Sequence, residues 1–406
     1  MTTHKWQFVA RFRYHAFGWQ SDKPLQRIKE ALSEIKRVAK QEPALAAEGA
    51  VLFLEKISPA IEQVDSSSGA IGSMVSRAID TLVPIIAKAS VAASIRQQWL
   101  QRLWQALQDD NIPYIERLGD YWGELCADAE CASQWADEFR PSVEQVEQVA
   151  QVAGFAYFKG SSAYLSSLYA AGRHEELLAM LEKSYFSGWW YRQWGVHALL
   201  AMDRKADALR YAENSKKFIN TPISAVAKVC EDILLASGLH EEAYKRYALD
   251  ANQGTTHLAT FRRLVKKYPH KPAIDILRNL VASEPGSEGK WFAAAKDAGL
   301  FDVAIELATK SPTDPRTLSR ASRNFAEKRA DFAVSAGMAA LYWMARGYGY
   351  NITAGDVLEA YSSVLKAASA ADVSEAQIKA QIRDVINEED AGNNIVLATL
   401  RDRLIV

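Results

Sequence analysis

Five turns that fall in one frame constrain this chain more than any other feature of it. The segments LYAAGRHEELLAML, LLAMDRKADALRYA, LLASGLHEEAYKRY, VKKYPHKPAIDILR and AKDAGLFDVAIELA follow one another and align Gly172, Asp203, Gly238, Pro269 and Gly299. The steps between these residues are 31, 35, 31 and 30 positions. A steady period of that size belongs to helix–turn–helix units that cannot bury an apolar face alone and must stack on their neighbours. The expected fold class is therefore all-α: an α-solenoid of helix–turn–helix repeats with an N-terminal helical domain.

The rest of the chain reads as helix around that array. Pro24 opens a run with Leu25, Ile28, Leu32, Ile35 and Val38 at spacings of three and four, the mark of an amphipathic helix. Pro43 starts the next, with Leu45, Val51, Leu52 and Leu54 as core candidates. After the turn cluster Asp65-Ser66-Ser67-Ser68-Gly69, a long apolar helix is expected to Ala89, kinked at Pro84 where the backbone donor is missing. Further helices are expected over 94–108, 112–128 and 141–153. Lys5–Tyr14 alternates apolar and polar residues and reads as an extended arm or a helical lead-in. Arg140-Pro141 and Lys159-Gly160-Ser161-Ser162 mark a junction. The expected domains are 1–140, N-terminal and helical; 141–345, the repeat array; and 346–406, a helical cap. Within the cap, Glu388-Glu389-Asp390 reads as a loop before a last short helix.

Composition narrows the function classes. The apolar runs are short and broken by charges, although 49% of residues are hydrophobic, which argues against a membrane span. The start, MTTHKWQFVARFRYH, lacks the apolar stretch of a secretory leader. Cys126, Cys131 and Cys230 are an odd count with no C-x-x-C pair, which argues against a disulfide framework or structural zinc and for a reducing cytoplasm. The net charge is −1, yet residues 109–147 carry eleven acids against two arginines, while residues 256–330 carry fourteen Lys/Arg against eight Asp/Glu. Such polarity fits either two solvated surfaces or a basic stretch that meets an anionic partner or the chain's own acidic half.

The turns carry a resemblance to tetratricopeptide repeats. In that family a small residue stands five places after the turn glycine. Here Ala208, Ala243 and Ala304 stand five places after Asp203, Gly238 and Gly299, whereas Leu177 and Ile274 follow Gly172 and Pro269. Pro222, Pro285 and Pro315 fall near the ends of second helices, as that family's proline does; its Trp-x-x-Leu-Gly-x-x-Tyr signature is missing. The strings FRYHAFGW, AVLFLEKISPAIEQVDSSSGAIG, RLWQALQDDNIPYIE, HLATFRRLVKKYPHK and EGKWFAAAKDAGLFD also resemble an uncharacterised bacterial family of helical-repeat proteins, which implies a solenoid and no particular chemistry.

If the repeats stack as the resemblance implies, the first helix of each unit lines a concave groove. That places Trp190, Gln193, His197, Lys228, Arg263, Lys266, Lys267 and Lys296 on its wall. Converging Lys and Arg suit a carboxylate or phosphate, although the same residues also make an ordinary solvated basic face. Trp190, Trp194 and His197 share one helical stripe, so these rings either fill the seam between units or offer a binding hot spot. The string Asp65–Gly72 lacks the Lys-Ser/Thr of a phosphate loop, and its serines read as helix caps. The seven histidines are scattered without H-E-x-x-H spacing, and no G-x-S-x-G elbow occurs. Asn351-Ile352-Thr353 matches a glycosylation acceptor by chance. The sequence thus points to a cytoplasmic, non-catalytic scaffold with no cofactor or metal, holding a protein or peptide. The alternative is a nucleic-acid-binding helical repeat that uses 256–330, and the oligomeric state stays open.

Overall fold

The computed structural model describes residues 4–154, 156–218, 220–387 and 395–404. The Glu388-Glu389-Asp390 loop lies outside the described residues. Everything regular among the described residues is helical: 21 α-helices and six short 3-10 segments, with no strand. The chain divides into two compact units, Met1–Pro222 and Ile223–Val406. In the first, Ser161–Ala170 pairs with His174–Leu181 and Trp189–Ala201 with Lys205–Asn214. In the second, five pairs follow in order: Ile223–Ala236 with His240–Ala251, His257–Lys267 with Ala273–Ser283, Phe292–Asp297 with Phe301–Lys310, Pro315–Phe325 with Ala330–Ala345, and Ala354–Ala370 with Glu375–Asn387. Helices packed in consecutive pairs make this an all-α solenoid, and the division between the units falls inside the 141–345 stretch.

The aligned turn residues take the left-handed conformation, at φ 72° for Gly172, 58° for Asp203, 74° for Gly238 and 73° for Gly299. The following N–H then reaches back five residues: Arg173 to the Leu168 carbonyl at 2.9 Å, Arg204 to Leu199 at 2.8 Å, Leu239 to Leu234 at 2.9 Å and Leu300 to Ala295 at 3.0 Å. This bond satisfies a carbonyl at the end of the first helix and reverses the chain for the second. The glutamates that follow, Glu175, Glu176, Glu241 and Glu242, sit in the first turns of second helices, where the dipole favours them. The same turn recurs at Asp372, φ 56°, with Val373 bonding Ala368 at 2.9 Å. The sequence frame loses that repeat because Ala330–Ala345 and Ala354–Ala370 are 16 and 17 residues long and stretch the period.

Pro269 breaks the frame for a related reason. A proline cannot take positive φ, so this connection runs on through Pro272 and the second helix starts at Ala273. The buried position slides with it. Leu177, Ala208, Ala243 and Ala304 are fully buried, and here Ile276 rather than Ile274 takes that place.

Several expectations for the first unit need correction. Lys5–Tyr14 is the lead-in form: a 3-10 turn at Phe8–Arg11 sends Trp6, Phe8 and Phe12 into the core, where the two phenylalanines meet Phe53 edge-on at 5.7 and 5.2 Å. Gly49 makes this possible, because the Trp6 ring occupies the space a Cβ would need. Pro141 is not a break; Ala129–Ala153 runs straight through it. The stretch 112–128 holds a 3-10 segment, Glu116–Tyr121, and the short helix Trp122–Cys126, which ends at Ala127 with φ 66°. The serines after Asp65 do not cap the next helix from an N-cap position: Gly69 stands there, and Ser67 donates its N–H to Asp65. Helix Ala70–Ala87, with Pro84 inside it, is long and apolar enough to cross a membrane by length and composition. In this fold Ile71, Val75, Ile79, Leu82 and Ile86 are buried in the core of the first unit, while Asp80 pairs with Arg117 at 3.0 Å.

Asp203 is the one aligned turn residue that carries a side chain into the left-handed region, and its carboxylate only approaches Lys205 at 3.9 Å on an exposed surface. Asp203→Gly should therefore stabilise the chain by about 0.5–1 kcal/mol, whereas Gly238→Val should cost at least about 1 kcal/mol. Urea unfolding of the two variants beside the parent protein measures both shifts.

Candidate functional site

Consecutive first helices of the second unit are tied together by charge. Lys267 on His257–Lys267 reaches back to Glu231 at 2.6 Å and Asp232 at 3.0 Å on Ile223–Ala236. Arg262 makes a two-pronged contact with Asp297 on the next first helix, its Nε at 2.9 Å. The Lys296 ammonium lies 5.7 Å from the centre of the Phe325 ring on the helix after that. Arg316 grips Asp356 at 2.8 and 3.0 Å, and Arg323 meets Glu359, both on Ala354–Ala370. The repeat itself explains the pattern, since stacked units bring residues 29 to 40 positions apart to the same height.

Glu231 is the deepest of these groups. It is fully buried, yet it accepts from Lys267, from Asn252 at 2.7 Å and from the Tyr268 hydroxyl. A buried carboxylate is tolerable only with its oxygens satisfied in this way. Burial works against the Lys267 ammonium, but the hydrogen bonds to Glu231 and Asp232 outweigh it and raise its pKa. Burial and the neighbouring Glu231 carboxylate together push the Tyr268 phenol well above its ordinary range.

This arrangement separates the basic residues that the sequence groups together. Lys228 and Lys266 are exposed and meet no carboxylate among the described residues. Arg263 is exposed and donates to the Gln253 carbonyl at 2.6 Å. Lys267 is spent on Glu231 and Asp232, and Lys296 covers an aromatic ring. The surplus counted over 256–330 is largely compensated, because Glu231, Asp232, Glu241, Asp356 and Glu359 lie outside the counted window and reach into it. Counting along the chain misses partners that the stacking supplies from the side.

In the first unit, Trp189–Ala201 divides its aromatic residues between core and surface. Trp189 is buried, whereas Trp190 is 55% exposed. The Trp190 ring lies over Gly188, where a Cβ would have no room. Gln193 turns back to the Trp190 carbonyl at 2.9 Å. Trp194 packs half-buried against Tyr169, its ring centre 5.7 Å away, while the exposed His197 sits at the edge of that contact, 6.2 Å from Tyr169, close enough to its neighbours for desolvation to lower its pKa. Arg192 escaped the sequence reading. It is buried between the rings of Tyr211 and Phe218, bonded to Ser215 at 3.0 Å and the Leu181 carbonyl at 3.1 Å.

A cleft of about 390 Å³ in the second unit is lined by Asp250, Thr256, His257, Glu284 and Trp291. His257 meets Glu284 at 3.1 Å there, and of the hydroxyls in the same lining Thr260 donates to the Thr256 carbonyl and Ser283 to the Leu280 carbonyl. Among the described residues no group of three His, Cys, Asp or Glu side chains is placed to hold a metal ion. Asn351-Ile352-Thr353 serves as a helix start: Thr353 and Asp356 form a reciprocal capping box on Ala354–Ala370.

No family model matches the chain, and no curated protein matches it either. Among solved structures, a chain of the APC/C hetero-tetramer Cut9-Hcn1 is similar, at 12% identity over 93% of this chain and 82% of that one, with a TM-score of 0.21. Backbones that score so low do not superpose as wholes, so the description of this fold rests on its own helices.

Two outcomes follow for the charged contacts. Lys267→Met should cost about 3 kcal/mol in urea unfolding, because it strands a buried carboxylate, and adding Glu231→Gln should recover part of that loss. Arg316 hydrogen bonds, then Thr353, hold the Asp356 carboxyl well below its usual range. Its stabilising effect is present above the unfolded carboxyl value of about 4 and is lost as pH falls through the folded one. Unfolding midpoints at successively lower pH should drop for the parent protein, and Arg316→Leu should make that drop shallower.

Proposed function

We propose that this chain is a non-catalytic scaffold that receives a protein or peptide segment along the first helices of its repeats. The observation that carries the reading is Trp190: a large ring held outward on a helix whose neighbouring aromatic residues are buried or packed in a seam. Rigid, half-exposed tryptophans supply binding energy at low entropic cost. In the second unit, Lys228 and Lys266 add charge that the paired residues around them do not consume, which suits acidic residues or a terminal carboxylate on the partner. The turns that resemble tetratricopeptide repeats support the same class of function.

Affinity capture with the parent protein, Trp190→Ala, and the Lys228→Glu/Lys266→Glu double variant tests the reading. Trp190→Ala should weaken retention of a captured partner by about tenfold or more. The lysine variant should remove most of the salt sensitivity, and both should keep the parent's urea midpoint. Lys267 is left intact, because its replacement would break the Glu231 contact and confuse binding with folding. Retention of every partner by both variants, with unchanged salt dependence, rules the scaffold face out. The nucleic-acid alternative has fewer cations at its disposal than the sequence count implies, since Arg262, Lys267, Arg316 and Arg323 are already paired. A steep loss of oligonucleotide affinity with salt would favour it instead.

A further inference from the structure

The cleft around His257 and Trp291 has a wall that is fixed in advance. In the loop before helix His257–Lys267, Gly254 donates its N–H to the Thr260 hydroxyl at 2.8 Å, and the Gln253 carbonyl accepts from Arg263 at 2.6 Å. Gly254 also lies so close to Ala259 and Thr260 that a Cβ would have no room. A loop held in this way keeps its shape before a ligand arrives. The cleft volume of about 390 Å³ falls within the ordinary span of ligand pockets, roughly 300–1,000 Å³.

The lining offers two opposite kinds of polar group. Asp250 and Glu284 supply carboxylates, and no lysine or arginine lines the cleft. Glu284 meets His257, whereas the exposed Asp250 carboxylate has no hydrogen bond or ion pair among the described residues. The other kind is a donor. Trp291 is 2% exposed, and its indole N–H finds no acceptor among the described residues, a costly state for a buried group. The helix His257–Lys267 starts at the same cleft, and the positive end of its dipole favours an oxygen there. His257 touches both sides: it bonds Glu284 and stands edge-on to Trp291, ring centres 4.6 Å apart. One imidazole thus separates a carboxylate from an unsatisfied donor.

From this arrangement we propose that the cleft binds an α-ammonium group together with its neighbouring carbonyl, the chemistry shared by a free amino acid and the N-terminus of a polypeptide. Asp250 and Glu284 take the ammonium through charge-assisted hydrogen bonds. The Trp291 N–H and the helix start favour the carbonyl oxygen. A simple amine would use the carboxylates alone, and a lone phosphate or carboxylate would meet Asp250 and Glu284 as like charges. The site uses neither Trp190 nor Lys228 and Lys266, so it stands or falls separately from the scaffold face.

Calorimetric titration of the full chain tests the site. The probes are X-Ala-Ala amides in which X runs through the common amino acids, the same peptides N-acetylated, the single amino acid amides, and propylamine. Members of the free-amine series should bind, N-acetylation should abolish binding, and propylamine should bind more weakly than the best amide. Asp250→Asn has no partner to lose, so it should keep the parent's urea midpoint while weakening binding by about tenfold or more. Hydrogen exchange should slow over 250–257 and 280–291 with the best binder present. Tighter binding of the peptides than of the single amides assigns the site to a polypeptide N-terminus, and equal binding assigns it to a free amino acid. Failure of every free-amine probe, equal binding by acetylated peptides or by propylamine, or unchanged affinity in Asp250→Asn overturns the proposal.

Discussion

The left-handed turn residue and the backbone bond that reaches across it govern how this chain folds. One residue at positive φ ends a helix, satisfies a carbonyl that would otherwise face another helix, and sends the chain back antiparallel. Gly172, Asp203, Gly238 and Gly299 all do this with nearly the same dihedral angle. The burial of Leu177, Ala208, Ala243 and Ala304 follows from it, because the turn fixes which residue of the second helix first meets the first. Pro269 shows the dependence from the other side: without a left-handed residue the connection lengthens, and the buried position slides two places to Ile276.

Stacking then creates electrostatic contacts that belong to no single repeat. Glu231 is acceptable in a dry interior only because Lys267 and Tyr268, more than thirty residues away, arrive beside it with Asn252. Arg262 with Asp297 and Arg316 with Asp356 repeat the theme closer to solvent, where each contact contributes less to stability and more to register. The consequence for binding is subtractive. A stretch that counts as strongly basic presents few uncommitted cations, and Lys228 and Lys266 stand out because the others are taken.

The same contrast runs through the candidate site. The exposure of Trp190 and the burial of Trp189 are opposite fates for adjacent residues, decided by which side of one helix faces the interior. Helical spacing put Trp190, Trp194 and His197 on a common stripe, along which Trp190 and His197 are exposed and Trp194 between them is half-buried. Cys126, Cys131 and Cys230 were legible as an odd count without C-x-x-C spacing. The left-handed Ala127 between two of them is a conformation that alanine rarely takes, which no residue pattern announces.

Local rules were enough to read the helices and their turns, because propensity, periodicity and left-handed glycine act within a few residues of one another. Thus the all-α class, the pairing of helices and the acid-rich starts of second helices were determined by the sequence alone. The tertiary structure decided which charges are spent and which rings stay in solvent. Those outcomes depend on side chains that approach from neighbouring elements, and their energies are set by desolvation, which exists only once the helices have packed.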